Sequence, residues 1–312
     1  MPASASPALH PAWPVLPPLA AWRDTQTTLH MWTQVVGKTR LALAPMENHW
    51  WQCTLYVSER GLTTMPMPAG SRLLTVDFDF IDHLLRLRTG DGEKRQIALL
   101  PRSVADFYGE YVEALRGLGF TPRIIPRPVE VEQAIPFLAD EAHAAYDRQA
   151  VERWWRALVQ ADRVFKRFRS GFVGKQSPAH FFWGSFDLAV TRFSGRPAPH
   201  HPGGAPNCPD YVMVEAYSHE CSSAGFWPGG GPLEEAAFYA YAYPEPKGYA
   251  VHRVRPAAAG YHAQAREFVL PYEAVRTSAD PDVTLLDFLQ DTYEAAARLG
   301  DWDRAALERL NR

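Results

Sequence analysis

The sequence predicts an α+β protein made of two related halves, each an antiparallel sheet with flanking helices. Two observations carry this expectation. A helix, then several alternating strands, then another helix occurs twice along the chain. In addition, HWWQCTLYV at residues 49–57 lies without a gap over HFFWGSFDL at 180–188. Trp50 then meets Phe181, Thr54 meets Ser185 and Leu55 meets Phe186, so the faces agree, as an internal duplication would produce. A smaller shift pairs FDFIDH with VEAYSH. The two copies of VGK, at 36–38 and 173–175, fall outside the register.

The expected divisions are a proline-rich extended arm at 1–23, a first half at 24–140 and a second half at 141–312, packed as one unit. The arm has no basic or apolar run that would act as a signal or membrane span. Asp24 is read as the cap of a first helix, with Leu29, Trp32, Val35 and Val36 at helical spacing up to Pro45. NHWWQCTLYVSE and SRLLTVDFDFIDHLLRLR read as strands, and TGDGEK turns the second into RQIALL. Ser103 caps a helix that ends at Gly119, and TPRIIPRPVEV is an extended connection.

The second half opens with a helix whose stripe is Val151, Trp154, Trp155, Leu158 and Val159. Four strand-like segments follow: HFFWGSFDLAVTRF, YVMVEAYSHECSS, AAFYAYAYP and REFVLPYEAV. VTLLDFLQDTYEAAARLG closes as a helix, with a short helix carrying Trp302 and Leu307 behind it. In the first of these strands, Phe182, Phe186, Leu188 and Val190 are assigned to the core. Phe181, Trp183, Ser185, Asp187 and Thr191 fall on the opposite face.

Composition bounds the function. A chain of 312 residues with 46% hydrophobic and 21% charged residues is globular. A net charge of −3 argues against a nucleic-acid partner, which needs a concentrated basic face. Three unpaired-looking cysteines suit a reducing cytoplasm. The chain contains no GxxxxGK[ST] phosphate loop, no paired CxxC and no HExxH. With NHWWQCTLYVSERGLTT, FDFIDH, HFFWGSFDLAVTRFSGR, EAYSHECSSAGFWPG and FYAYAYPEP all in view, the chain resembles a bacterial family catalogued as domain of unknown function 5996. That resemblance spans WPVLPPLAAWRDTQTTLH to WDRAAL and implies one family-wide unit. It brings no activity, cofactor or site residue, and Cys221 departs from the aliphatic residue it suggests.

Candidate chemistry comes from the strands. If YVMVEAYSHECSS is extended, Glu215, Tyr217, His219 and Cys221 share a face, with alternate residues about 6.6 Å apart. His219 is then a general base oriented by Glu215, or a ligand to a divalent transition metal with Cys221 or Glu215. His180, His49 or His83 would complete such a site. Asp187, between Phe186 and Leu188, needs a partner if buried; Arg192 and Lys175 are the nearest cations in sequence, but alternation puts Arg192 opposite, so a cation from the other half or a ligand is expected instead. Trp183, Arg192, Tyr217, Tyr239, Tyr241 and Trp227 are candidate ligand-binding residues, the tyrosines being backed by Ala240 and Ala242. The expectation is a small-molecule enzyme with His219, Glu215, Asp187 and His180 as its reactive groups. A non-catalytic ligand-binding or sensing protein is the alternative, and oligomeric state is left open.

Overall fold

A computed structural model describes residues 12–231 and 233–309. Residues 1–11 of the expected arm lie outside the described residues. Trp13 is buried against Phe238 and Tyr272, and its indole donates to Asp282 at 3.2 Å. Helix α1 spans Leu19–Leu43, starting after Pro18 rather than at Asp24. Two consecutive prolines fix extended backbone up to that point, and a helix starts readily just after such a segment. The helix is buried on almost every side between Thr25 and Arg40, so it is a central rod rather than a one-faced surface helix.

The first sheet is antiparallel, with order β1-β2-β4-β5-β6 and β3 beside β4. Its strands are β1 Tyr56–Val57, β2 Gly61–Thr63, β3 Met67–Ala69, β4 Arg72–Asp79, β5 Leu84–Thr89 and β6 Lys94–Ala98. The segment read as one long strand is therefore a hairpin. The Asp79 carboxylate accepts from the Ile81 and Asp82 N–H groups, both at 3.0 Å, and His83 takes a φ of 54°. Helix α2, Val104–Gly117, is capped by Ser103, which accepts from the Asp106 N–H at 3.1 Å. The stretch 121–131 has no regular structure.

Helix α3, Arg148–Ser170, leads into the second sheet, of order β11-β12-β10-β9-β8-β7. The strands are β7 His180–Phe182, β8 Asp187–Pro197, β9 His219–Trp227, β10 Ala237–Tyr243, β11 Gly260–His262 and β12 Glu267–Pro271. Between β8 and β9 lies helix α4, Asp210–Ala216. After β12 come α5 Tyr272–Arg276, α6 Pro281–Leu299 and α7 Arg304–Leu307. One face of the sheet, with Leu188, Val190, Phe226, Phe238, Ala240 and Leu270 buried, packs on α3 and α6. Both halves are thus α+β with a six-stranded antiparallel sheet.

The halves join at a sheet edge. Leu55 and Phe181 exchange backbone hydrogen bonds of 2.9 and 2.8 Å just beside β1 and β7. The segments that resemble each other therefore touch, but their local structures differ. Asn48–Cys53 forms a 3-10 helix, with His49 and Trp50 at φ 61°, where a strand was expected. In the second half, residues 183–186 form a turn, with Phe186 at φ 61°. That turn resets the alternation. Phe181 pairs with Leu188 on the core side, and Phe182 pairs with Asp187 on the other, the reverse of the expected assignment for β7. Among the described residues, no helix is long and apolar enough to cross a membrane.

Trp183, in that turn, lies flat on α1 at Gly37, where any Cβ would overlap the indole ring, and donates to the Cys53 carbonyl at 2.6 Å. Alanine is intrinsically better than glycine in a helix by about 1 kcal/mol. Gly37→Ala is nevertheless expected to destabilise the protein, by about 1–3 kcal/mol from overpacking. Urea denaturation checks this; unchanged or increased stability contradicts the packing described.

Candidate functional site

The face of the second sheet turned away from α3 and α6 floors a cavity of about 590 Å³. This is the size range of small-molecule sites. Strand alternation points Asp187, Ala189, Thr191 and Phe193 of β8 into it, with Cys221, Ser223 and Trp227 of β9 beside them. Tyr239 and Tyr241 of β10 and Glu267 of β12 continue the floor. The walls come from elsewhere: the 3-10 helix supplies His49, Trp50 and Trp51, the irregular stretch 121–131 supplies Glu130, and α4 supplies Val212 and Met213.

Asp187 is buried, and burial pushes its carboxyl above the usual carboxylate range against the opposing pull of its hydrogen bonds. Ser185 and Tyr239 both donate to it through their hydroxyls. Tyr239 is two strands away, and β9 runs between. The contact exists because the residue opposite Tyr239 on β9 is Gly225. A Cβ at 225 would overlap the Tyr239 phenol and sit 2.6 Å from the Leu188 carbonyl. Glycine therefore leaves the notch through which the phenol reaches the carboxylate. Alongside, Tyr217 and Tyr241 share a hydrogen bond of 2.7 Å, and Thr191 and Ser223 share one of 2.9 Å.

Two further carboxylates face the same space. Glu130 has a φ of 58°; its N–H donates to Pro206 at 2.7 Å, and the neighbouring Val131 carbonyl accepts from Asn207 at 2.7 Å. Its carboxylate lies against Gly184, where a Cβ would overlap it. Glu130 is exposed at the half-open cavity, yet protein atoms crowd around its carboxyl and displace part of the bulk water that normally favours a charge. Burial, and then the Asp187 charge, push Glu130 up to about 7. Glu267 rises to about 7 for the same two reasons in the same order. Among the described residues, neither glutamate side chain has a hydrogen-bond or ion-pair partner.

At the opposite end of the cavity His49 is locked between a carbonyl and a lysine behind the wall. His49 Nδ1 donates to the Ala216 carbonyl at 2.9 Å, which leaves Nε2 to accept from Lys175 Nζ at 2.6 Å. Burial lowers the pKa of both His49 and Lys175. No lysine or arginine lines the cavity among the described residues.

Of the ten residues singled out as catalytic or ligand-binding, the structure brings together five: Asp187, Tyr217, Tyr239, Tyr241 and Trp227 all line the cavity, as do His49 and Cys221 from the metal-ligand candidates. The other five stand apart from its lining. His180 is buried between the Trp51, Tyr56 and Phe182 rings; Nε2 meets the Tyr56 hydroxyl at 3.4 Å and Nδ1 has no partner. Burial drops its pKa to about 3, so it is neutral at physiological pH. Arg192 points to the other face of the sheet, enclosed by the Phe168, Phe172 and Tyr293 rings and donating to the Phe168 carbonyl. Trp183 serves the α1 contact. Glu215 is on α4, so the expected shared strand face of Glu215, Tyr217, His219 and Cys221 does not exist. Proline at 209 starts a helix there, and β9 begins only at His219. His219 sits edge-on to the His49 ring at 5.9 Å and bonds the Ser218 hydroxyl at 3.1 Å.

His83 bonds the Tyr146 hydroxyl at 3.0 Å, away from these groups. No group of three or more His, Cys, Asp or Glu among the described residues is placed to hold a metal ion. Sequence reasoning missed Glu130, Glu267 and Gly225. The alternation in EFVLP places Glu267 on the face of Val269, a signal that was present. Glu130 lies in a stretch with no period to read.

A family model described as "Family of unknown function (DUF5996)" matches residues 13–309. No curated protein and no solved structure matches the chain.

Tyr239→Phe is expected to cost about 1–3 kcal/mol, because it strips a donor from a buried carboxylate. Gly225→Ala acts on the same bond, so the double variant should fall well short of the summed losses. Denaturant titration of the three variants checks this, and strict additivity contradicts the notch.

Proposed function

The chain belongs to the DUF5996 family, and we propose that it is an enzyme that holds a small molecule in this cavity and moves protons on it with carboxyl groups. What supports the reading is the pair of partnerless glutamates, Glu130 and Glu267, that face the cavity beside Asp187. An acid or base is most effective when its pKa lies near the working pH, and both groups lie there. Asp187 acts through its charge and through Tyr239, which it orients. Tyr241 and Tyr217 offer hydroxyls to substrate oxygens, and Trp50, Trp51 and Trp227 shield the reacting groups from bulk water.

In this reading the roles first given to His219 and His180 pass to the glutamates. Metal assistance through the histidines has no support in their positions. The free cysteines, Cys53, Cys208 and Cys221, suit a cytoplasmic setting. We also read the two halves, divided near residue 140, as copies of one ancestral unit.

A second reading, non-catalytic binding, draws on a different observation. The Tyr217–Tyr241 and Thr191–Ser223 pairs satisfy one another, as in a passive lining. Incubating the protein with the small-molecule fraction of a cell extract separates the two. Mass spectrometry is expected to show a compound consumed by the wild type, and consumed about a hundredfold more slowly by Glu130→Gln or Glu267→Gln, the low end for general acid–base groups. A compound retained by the protein and recovered unchanged contradicts the enzymatic reading and favours binding.

A further inference from the structure

We infer that the cavity selects an organic cation, an amine or quaternary ammonium on a compact apolar body, and seats its charge between Glu130, Asp187 and Glu267. The inference rests on the reading of this cavity as a small-molecule site and specifies what enters it.

Three carboxyl groups line one half-open cavity while no lysine or arginine lines it among the described residues. Asp187 already has two donors, but Glu130 and Glu267 have none, so their charge is compensated by nothing within the described protein. Each ionised carboxylate makes the next harder to ionise, and an anionic ligand would add to that repulsion. A cation removes it. The walls suit the same ligand, because aromatic faces attract a cation through their quadrupole. At the His49 end, the Trp51 and Phe193 faces already carry the Lys175 ammonium, at 5.6 and 5.2 Å. At the Asp187 end, Trp227, Tyr239 and Tyr241 line the cavity, and no side-chain cation lies over them among the described residues. The chain's own lysine thus occupies one aromatic wall, and the acidic end offers another.

The titratable groups that face the two glutamates or share their cavity are Asp187 from β8, Cys221 from β9, Tyr239 and Tyr241 from β10, Tyr217 beyond α4, Tyr249 behind Glu267, and Cys53 and Cys208 from the neighbouring wall and loop. Burial pushes the phenols and thiols up, so they stay neutral near pH 7. The cations beside Cys53 and Cys208 sit over other rings: Arg40 over Tyr56 and Lys38 over Trp183. The glutamates, raised to about 7, are protonated and neutral below that pH and charged above it. Cation affinity therefore rises with pH.

Isothermal titration with four probes of one shape tests this: benzyltrimethylammonium, benzylamine, benzyl alcohol and benzoate. Both cations are expected to bind, and the alcohol and benzoate to bind at least tenfold more weakly. Benzyltrimethylammonium has no proton to lose, so its pH dependence reports the protein. Its affinity should rise on the order of tenfold from pH 6 to pH 8, as one linked carboxyl would give. Glu130→Gln, in an irregular segment, and Glu267→Gln, in a strand, should each weaken cation binding about tenfold and leave the alcohol unchanged. Circular dichroism confirms that each variant is folded. If benzyl alcohol or benzoate binds in the cavity as well as the cations do, the charge selection is overturned while the small-molecule site stands. If no probe binds, both fall.

Discussion

Asp187 is held between Ser185 and Tyr239 across the gap that Gly225 leaves in β9, and the polar side of the second half is organised around that contact. A buried carboxylate without donors costs several kcal/mol, so a fold that keeps one must aim donors at it. The turn at residues 183–186 supplies the first and β10 supplies the second. Because Phe186 sits in left-handed backbone, the turn returns the chain with Phe182 and Asp187 on one face and Phe181 and Leu188 on the other. The same geometry thus fills the core under α3 and α6 and points a charge the other way.

The first half completes what the second half begins. Its 3-10 helix brings His49, Trp50 and Trp51 over the sheet, and the irregular stretch before α3 brings Glu130. The backbone pairing of Leu55 with Phe181 and the lock of His49 onto Ala216 and Lys175 fix the position of that wall. His49, Trp50 and Glu130 all adopt positive φ, a cost that persists only where surroundings impose it. Irregular backbone here carries side chains to a place that regular strands or helices from the first half do not reach. Two of the three carboxyl groups belong to the sheet and one to this wall, so the charge of the cavity depends on both halves being in place.

Much of this was legible in the sequence. The α+β class, the two sheets, the Ser103 cap and the Tyr239/Tyr241 face with Ala240 and Ala242 behind it follow from period and turn chemistry. So does Asp187 as a carboxylate needing a partner, although the partners are the Ser185 and Tyr239 hydroxyls where a cation or a ligand was expected. Legibility failed where a few residues in unusual backbone override the period. NHWWQC alternates as a strand but is wound by left-handed His49 and Trp50, and FDFIDH hides a hairpin turn made by Asp79. YVMVEA has β-branched and aromatic residues in alternation, yet Pro209 and the tertiary setting make it helical. With that strand gone, the grouping of Glu215 with His219 dissolves. Glu130 was invisible because the residues it lies against in space, Gly184 and Asp187, belong to the other half of the chain and no pattern links them, a separation that sequence periodicity does not register.

The central claim is that two glutamates in this cavity hold their protons to near-neutral pH. Carbon-13 labelling of glutamate side-chain carboxyls, followed by NMR titration, tests it directly, with Glu130→Gln and Glu267→Gln assigning the two resonances. The expected result is two midpoints near 7, standing apart from the exposed glutamates, each lost in its own variant. Midpoints for both groups in the ordinary range of about 4 would contradict the account.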